Sequence, residues 1–138
     1  MVDFDDAYEE LSRPFPVDAV SWRIGPTTKD KKKGMALAYI DARDVQDRLN
    51  AVCGGDWQCE HIMQTGGGKI TCRIGIRLDG SDGGPPEWVW RSNGAGDTDV
   101  EADKGGFSDA FKRAAVMWGV GRYLYYLPNI WVYPYYVL

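Results

Sequence analysis

The chain has 138 residues, enough for one domain with a real core, and an ordinary globular composition apart from many Gly (17), Tyr (8) and Trp (6). No apolar run reaches the ~18 residues of a membrane span, and the acidic start "MVDFDDAYEE" lacks the basic-then-apolar order of a secretion signal. An intracellular, cytoplasmic protein without a membrane partner is therefore expected.

The net charge of −4 is a weak argument against a nucleic-acid partner, because the charges are segregated. Asp3, Asp5, Asp6, Glu9 and Glu10 crowd the first ten residues, whereas beyond residue 103 Lys104, Lys112, Arg113 and Arg122 face Asp109 alone. In between, "TTKDKKKGM" carries Lys29, Lys31, Lys32 and Lys33.

In chain order, residues 5–12 suit a short helix that "RPFPVDAV" interrupts with two prolines. "SWRIGPTTKDKKKG" reads as a short strand running into a basic, Gly-bounded loop, and "MALAYI" as extended apolar chain. Asp41 is placed to N-cap a helix over "ARDVQDRLNAVCGG". Its Val45, Leu49, Val52 and Cys53 repeat at the spacing of a buried face, and Gly54-Gly55 stops it.

The middle reads as three strands. "WQCEHIMQ" leads through "TGGGK" to "ITCRIGIRL", which alternates cleanly: Ile70, Cys72, Ile74, Ile76 and Leu78 share one face, and Thr71, Arg73, Gly75 and Arg77 the other. "DGSDGGPP" then turns into "EWVWRSNG". After "AGDTDVEAD", the stretch "KGGFSDAFKRAAVMWGVGRYLY" fits one helix over Lys104–Tyr125. Phe107, Phe111, Ala114, Trp118 and Gly121 fall on its apolar arc, and Ser108, Asp109, Lys112, Arg113 and Val116 on the polar arc. Asp109 stands three residues before Lys112 and four before Arg113, so it can pair with either; a pair with Arg113 leaves Lys112 the freer cation. The expected fold class is α+β: an antiparallel β-β-β meander packed against a long helix and preceded by a short one. A single domain is expected over 1–138, with an acidic segment 1–18, a core over 19–127 and an aromatic segment 128–138.

Three cysteines, Cys53, Cys59 and Cys72, are an odd number and argue against a disulfide framework. With His61 they lack the C-x-x-C spacing of a zinc site, so reduced thiols and no metal are expected. No G-x-x-x-x-G-K-[ST] phosphate loop and no evident two-metal carboxylate cluster is present, so no cofactor or catalytic chemistry is expected.

The Lys112-Arg113 pair admits two readings. One is a solvated helix face carrying an ion pair. The other is one wall of a groove, where cations spaced along a phosphodiester backbone release its condensed counterions. If the polar face of "ITCRIGIRL" bordered that groove, Arg73 and Arg77 would converge with Lys112 and Arg113. Simple solubilisation of an exposed sheet face explains the two strand arginines equally well. Lys69 and Arg91 are inferred from the same sheet as further cations. Trp118, Tyr123, Tyr125 and Tyr126 read as core or subunit-interface residues rather than stacking platforms.

"KGMALAYIDARDVQDRLNAV", "GAGDTDVEADKGGFSDAFKRAAVMWGVGRYLY" and the meander between them resemble the Rad-fifty-two family of single-strand annealing proteins, in particular its short bacterial and phage members such as the Sak-type recombinases. The resemblance covers roughly Ala19 to Leu127. It implies a β-β-β-α core, assembly into rings or helical filaments, and single-stranded DNA held in a basic groove. It also implies annealing of complementary strands without ATP, in recombination and double-strand break repair. A nuclease or single-strand-binding protein is the usual partner of phage annealing systems.

Carried over by motif, the backbone-contacting residues are Lys112, Arg113 and Arg43, with Lys104 at a basic position near the helix start. Asp44 follows Arg43 where some relatives have a second basic residue, and Val116 stands where some are basic. The rival readings are a structural oligomer without DNA binding and a metal-dependent DNA-processing enzyme. Two expectations attach to the ends: the acidic start competes with DNA as a mobile arm, and the aromatic end completes a neighbouring subunit.

Overall fold

A computed structural model describes residues 2–63, 69–94 and 106–133. Lys104, Gly105 and residues 134–138, which carry several of the sequence expectations, lie outside this set.

Helix α1 (Phe4–Leu11) starts where the Asp3 carboxylate accepts a hydrogen bond from the Asp6 amide at 3.0 Å. It buries Ala7 and Leu11. Just before it, Val2 is tied to the end of a strand: its amide donates to Arg77 O (3.1 Å) and its carbonyl accepts from Asp79 N (2.9 Å). The acidic start is thus a folded part of the core, not the mobile arm the charge run suggested. The carboxylates line the outer side of a helix whose apolar side is needed inside.

Strands β1 (Val20–Thr27) and β2 (Gly34–Ile40) form an antiparallel hairpin, and β6 (Ile130–Val132) adds to the free edge of β2 at Gly34–Ala36. Between β2 and the meander runs helix α2 (Ala42–Cys53), with Asp41 at its N-cap position and Val45, Leu49 and Cys53 buried. Gly54, at φ +56°, ends it with its amide on Asn50 O (2.9 Å).

The second sheet is the expected meander, β3 (Trp57–Met63), β4 (Ile70–Leu78) and β5 (Glu87–Gly94), in the order β3-β4-β5. All five alternating residues of β4, from Ile70 to Leu78, are buried, and Cys72, Ile74 and Ile76 have no exposed surface at all (0%). Helix α3 (Phe107–Met117) lies across this apolar face with Ala110, Phe111, Ala114 and Ala115 buried. The architecture is therefore α+β with two antiparallel three-stranded sheets and three α-helices among the described residues.

The long helix expected over Lys104–Tyr125 is shorter: α3 ends at Met117. Trp118 caps it and the chain then reverses through Gly119 (φ +94°) and Gly121 (φ +74°) into a 3₁₀ turn over Arg122–Tyr126. Left-handed φ at two positions in three is incompatible with helix and suits Gly. At Gly119 space matters as well, since a Cβ would sit 3.1 Å from Ser12 Cβ and 3.2 Å from Tyr8. Phe107, placed on the apolar arc, is exposed: it occupies the first turn, where its ring meets His61 edge-on at 5.1 Å.

Two contacts fix the end of α3. The buried Trp118 indole N–H donates to Ile74 O at 3.0 Å. Arg91, from β5, donates to Met117 O at 2.7 Å and lays its guanidinium 4.4 Å from the Trp118 ring centroid. A cation on the last carbonyls suits the negative end of the helix.

Two stability predictions follow from this packing. Leu11→Ala should lower unfolding stability in urea by about 3 kcal/mol, as for a fully buried Leu; a loss below about 1 kcal/mol would show that α1 is dispensable. Arg91→Ala should cost about 1–3 kcal/mol, because it removes a charged hydrogen bond to a helix end; an unchanged urea midpoint would leave Arg91 no capping role.

Candidate nucleic-acid interface

The polar stripe of α3 does not face open solvent. It forms one wall of a cleft of about 350 Å³, whose other wall is the β1-β2 hairpin. Asp109, Lys112, Arg113 and Val116 line the helix side. Trp22 and Arg23 of β1 and Ala36–Tyr39 of β2 line the strand side, and Leu124, Tyr125 and Leu127–Asn129 close one end. Helical spacing explains the first wall: residues 109, 112, 113 and 116 repeat at i, i+3, i+4 and i+7 on the side away from the buried alanines.

Within the cleft, Arg113 Nε donates to Asp109 Oδ2 at 3.1 Å, the i,i+4 member of the two pairs that spacing allowed. Both side chains are about half exposed (46% and 48%), so the pair contributes little to stability and its partners can exchange. Lys112 has no carboxylate partner among the described residues. Its ammonium lies 5.6 Å from the Tyr39 ring centroid, across the cleft. Three cations (Arg23, Lys112, Arg113) against one acid (Asp109) leave the lining positive, and no residue of acidic α1 contributes to it. The aromatic share comes from Tyr39 and from Tyr125 (68% exposed); Trp22, paired with Ala38, borders the cleft from the other face of the hairpin.

The strand cations inferred from the sheet do not converge on this cleft. Arg73 and Arg77 alternate with Ile74 and Ile76, which pack under α3, so they project from the opposite face of the meander. There Arg73 pairs with Glu60 (Nε to Oε2, 3.0 Å) and stacks 4.0 Å from the Trp90 ring centroid. Arg77 lies 4.0 Å from Asp56. Lys69 is exposed at the start of β4, and Arg91 is the cap of α3 described above. Arg43 is exposed on the first turn of α2 and does not line the cleft, although Val45 in the same turn does. Lys104 lies outside the described residues.

The sequence reading missed Trp22, Arg23 and Tyr39. The available signal was "SWRI" itself, a Trp-Arg pair in a strand too polar to be buried, but nothing local says which element such a strand will face. Trp118 is core, as expected, and Tyr123 is half-buried with its hydroxyl accepting from Phe15 N at 3.0 Å. Tyr125 and Tyr126, by contrast, are exposed.

A larger depression of about 760 Å³ lies between α1 and α2, lined in part by Arg13 and Arg48. Its cations are occupied. Arg48 donates to the carbonyls of Glu10, Leu11 and Arg13 (3.2, 2.9 and 2.7 Å), and Arg13 pairs with Glu10 at 2.8 Å.

Among the described residues no three His, Cys, Asp or Glu side chains are grouped to hold a metal ion. His61 Nε2 is hydrogen-bonded to Phe107 O at 3.0 Å. Burial pushes the Cys72 thiol up to about 12 and the Cys53 thiol up to about 11, so both are protonated near neutrality. No helix among the described residues is long and apolar enough to cross a membrane.

The chain is 41% identical over 133 residues to the single-stranded DNA-binding protein DdrA of Deinococcus deserti, covering 92% of this chain and 60% of that protein. It is 37% identical over 132 residues to DdrA of Deinococcus radiodurans, covering 91% of this chain and 58% of that one. The chain thus spans about three fifths of the length of these relatives. No solved structure matches it significantly. Residues 3–134 match the family described as Rad52/22 family double-strand break repair protein, and with nearly the whole sequence included in that match the chain belongs to this family.

Proposed function

We propose that this chain binds single-stranded DNA in the cleft between α3 and the β1-β2 hairpin, and that it anneals complementary strands without ATP during recombination and double-strand break repair. The observation that carries the reading is the pairing of two unlike walls: Lys112 and Arg113 on the helix, and Tyr39 with Arg23 on the strands, Tyr39 lying opposite Lys112. Cations that grip phosphates and aromatic faces that stack on any base give affinity without sequence readout. Family membership and relatives named for single-stranded DNA binding support the same ligand.

Annealing on such a surface requires no nucleophile, general base or metal. A held strand offers its base edges to a second strand; correct pairs add stacking and hydrogen bonds, and mismatched strands leave. In this reading Lys112 is the principal phosphate contact and Arg113 is shared between Asp109 and DNA, while Arg43, exposed on α2, and Lys104 are further backbone contacts by likeness to the family. Arg73, Arg77 and Lys69 belong to a different face and are not part of it, and Arg91 serves the fold. The working form is a homo-oligomer, ring or filament, in which neighbouring clefts join. A nuclease or single-strand-binding protein is the natural supplier of the strand.

Anisotropy with a labelled oligonucleotide tests the site. Lys112→Ala with Arg113→Ala should weaken binding roughly 25-fold at 0.1 M salt and lower the salt slope by about 1.4, at about 0.7 per lost phosphate contact on a single strand. Circular dichroism should not change. Unaltered affinity in this variant would sink the site assignment. Asp109→Asn should act in the opposite direction, tightening binding several-fold by releasing Arg113; weaker binding there would show that the ion pair positions the arginine rather than competes for it.

A further inference from the structure

The cleft floor does not end at its last lining residue. Strand β2 supplies Ala36–Tyr39 to the floor, and the same strand, followed backwards, enters the turn 28–33 that carries Lys29, Lys31, Lys32 and Lys33. Ala36 to Lys33 is three residues of strand, roughly 10 Å at 3.3 Å per residue. Tyr39, which lies under Lys112, is about 20 Å from Lys33 by the same measure.

All four lysines are exposed. The one acid in the turn, Asp30, is engaged by the turn itself: its Oδ1 accepts from Thr28 Oγ1 at 2.6 Å and from Lys32 N at 3.0 Å. The hydrogen bond from Thr28 also holds the Asp30 carboxyl below its usual range. Two further bonds close the loop, Thr28 N to Lys33 O and Lys31 N to Thr28 O, both at 2.9 Å. Lys31 is held at φ +60°, a conformation that non-Gly residues seldom adopt unassisted. Lys33 rests 5.1 Å from the Tyr133 ring centroid, next to β6. The ammonium groups of Lys29, Lys31 and Lys32 have no carboxylate partner among the described residues. A braced turn thus presents three unpaired cations at the end of the cleft floor, with little left to order on binding.

We propose that this lysine turn is a second phosphate-binding element, which takes the backbone of a single strand as it leaves the cleft along β2. The proposal rests on the reading of the cleft as a single-strand site and adds a contact of different kind. The cleft combines cations with aromatic faces, whereas the turn offers charge alone. It therefore contributes affinity and salt dependence but no base stacking.

The test compares three proteins binding a labelled oligothymidylate across a salt series. One is the wild type, one is the turn variant Lys29→Gln, Lys31→Gln, Lys32→Gln, and one is the cleft variant Lys112→Ala, Arg113→Ala. Lys33 is left in place because it packs on Tyr133. The turn variant should lower the salt slope by about 2 and weaken binding roughly 100-fold at 0.1 M salt, at about 0.7 per phosphate. A companion with arginine at the same three positions should keep the wild-type slope, which separates loss of charge from loss of the turn.

A turn variant with wild-type slope and affinity, beside a cleft variant that binds poorly, would overturn the turn and leave the cleft standing. A turn variant of altered oligomer mass and unaltered slope would assign the lysines to a protein contact and overturn the proposal equally. Wild-type protein that binds no oligothymidylate at any salt would remove both readings together.

Discussion

The fold depends on where α3 stops. Trp118 is buried to 1% exposure, its indole N–H is bonded to Ile74 O in the middle of β4, and Arg91 closes over it from β5. A large aromatic in that position fixes the helix end on the meander in both translation and rotation. Its N–H would be an unsatisfied buried donor in any other register. Immediately afterwards Gly119 and Gly121 take left-handed φ and turn the chain back. What the turn releases, Leu124, Tyr125 and Leu127–Asn129, becomes the end wall of the cleft, and Ile130–Val132 becomes the third strand of the other sheet. Had α3 continued to Tyr125, β2 would have no β6 at its edge and the cleft no end wall.

The same anchoring sets the electrostatics. Rotating α3 so that Ala110, Ala114 and Trp118 meet β4 leaves Asp109, Lys112, Arg113 and Val116 to face the hairpin. The carboxylates of α1 stay elsewhere because Ala7 and Leu11 hold that helix against the core and Val2 ties its start to β4. A chain with net charge −4 can therefore line a cleft with cations: what governs a ligand at close range is the charge within roughly 10 Å, not the total.

Much of this was legible in the sequence, and particular residues show why. Strict alternation in "ITCRIGIRL" fixed the buried side of β4, and the spacing of Val45, Leu49 and Cys53 fixed that of α2. Asp109 pairs with Arg113, one of the two partners its spacing allowed. The expectation that Arg73 and Arg77 join the cleft conflicted with that same alternation: if Ile74 faces the helix, its neighbours face away. That β1, β2 and β6 form a sheet of their own was not legible, because β1 buries almost nothing and is held through backbone pairing to β2, which leaves no side-chain periodicity to read. The helix end was half legible. The glycines of "MWGVG" were visible, but a Gly costs a helix only ~1 kcal/mol. It was the packing of Trp118 and the approach of Tyr8 and Ser12 that made the break obligatory.

On the proposed reading, the modest charge of one cleft has a consequence for assembly. Three cations, one of them shared with Asp109, neutralise two or three phosphates, and each is worth only about fivefold in affinity at 0.1 M salt. One subunit alone would hold a strand weakly, at the level of non-specific contacts. Clefts joined edge to edge turn each further contact into an intramolecular one, so affinity climbs with the number of subunits while every local contact stays weak. Weak local contacts are what strand annealing requires. A mispaired segment must be able to lift from a few clefts and try again without the whole strand leaving, and a tightly held base could do neither.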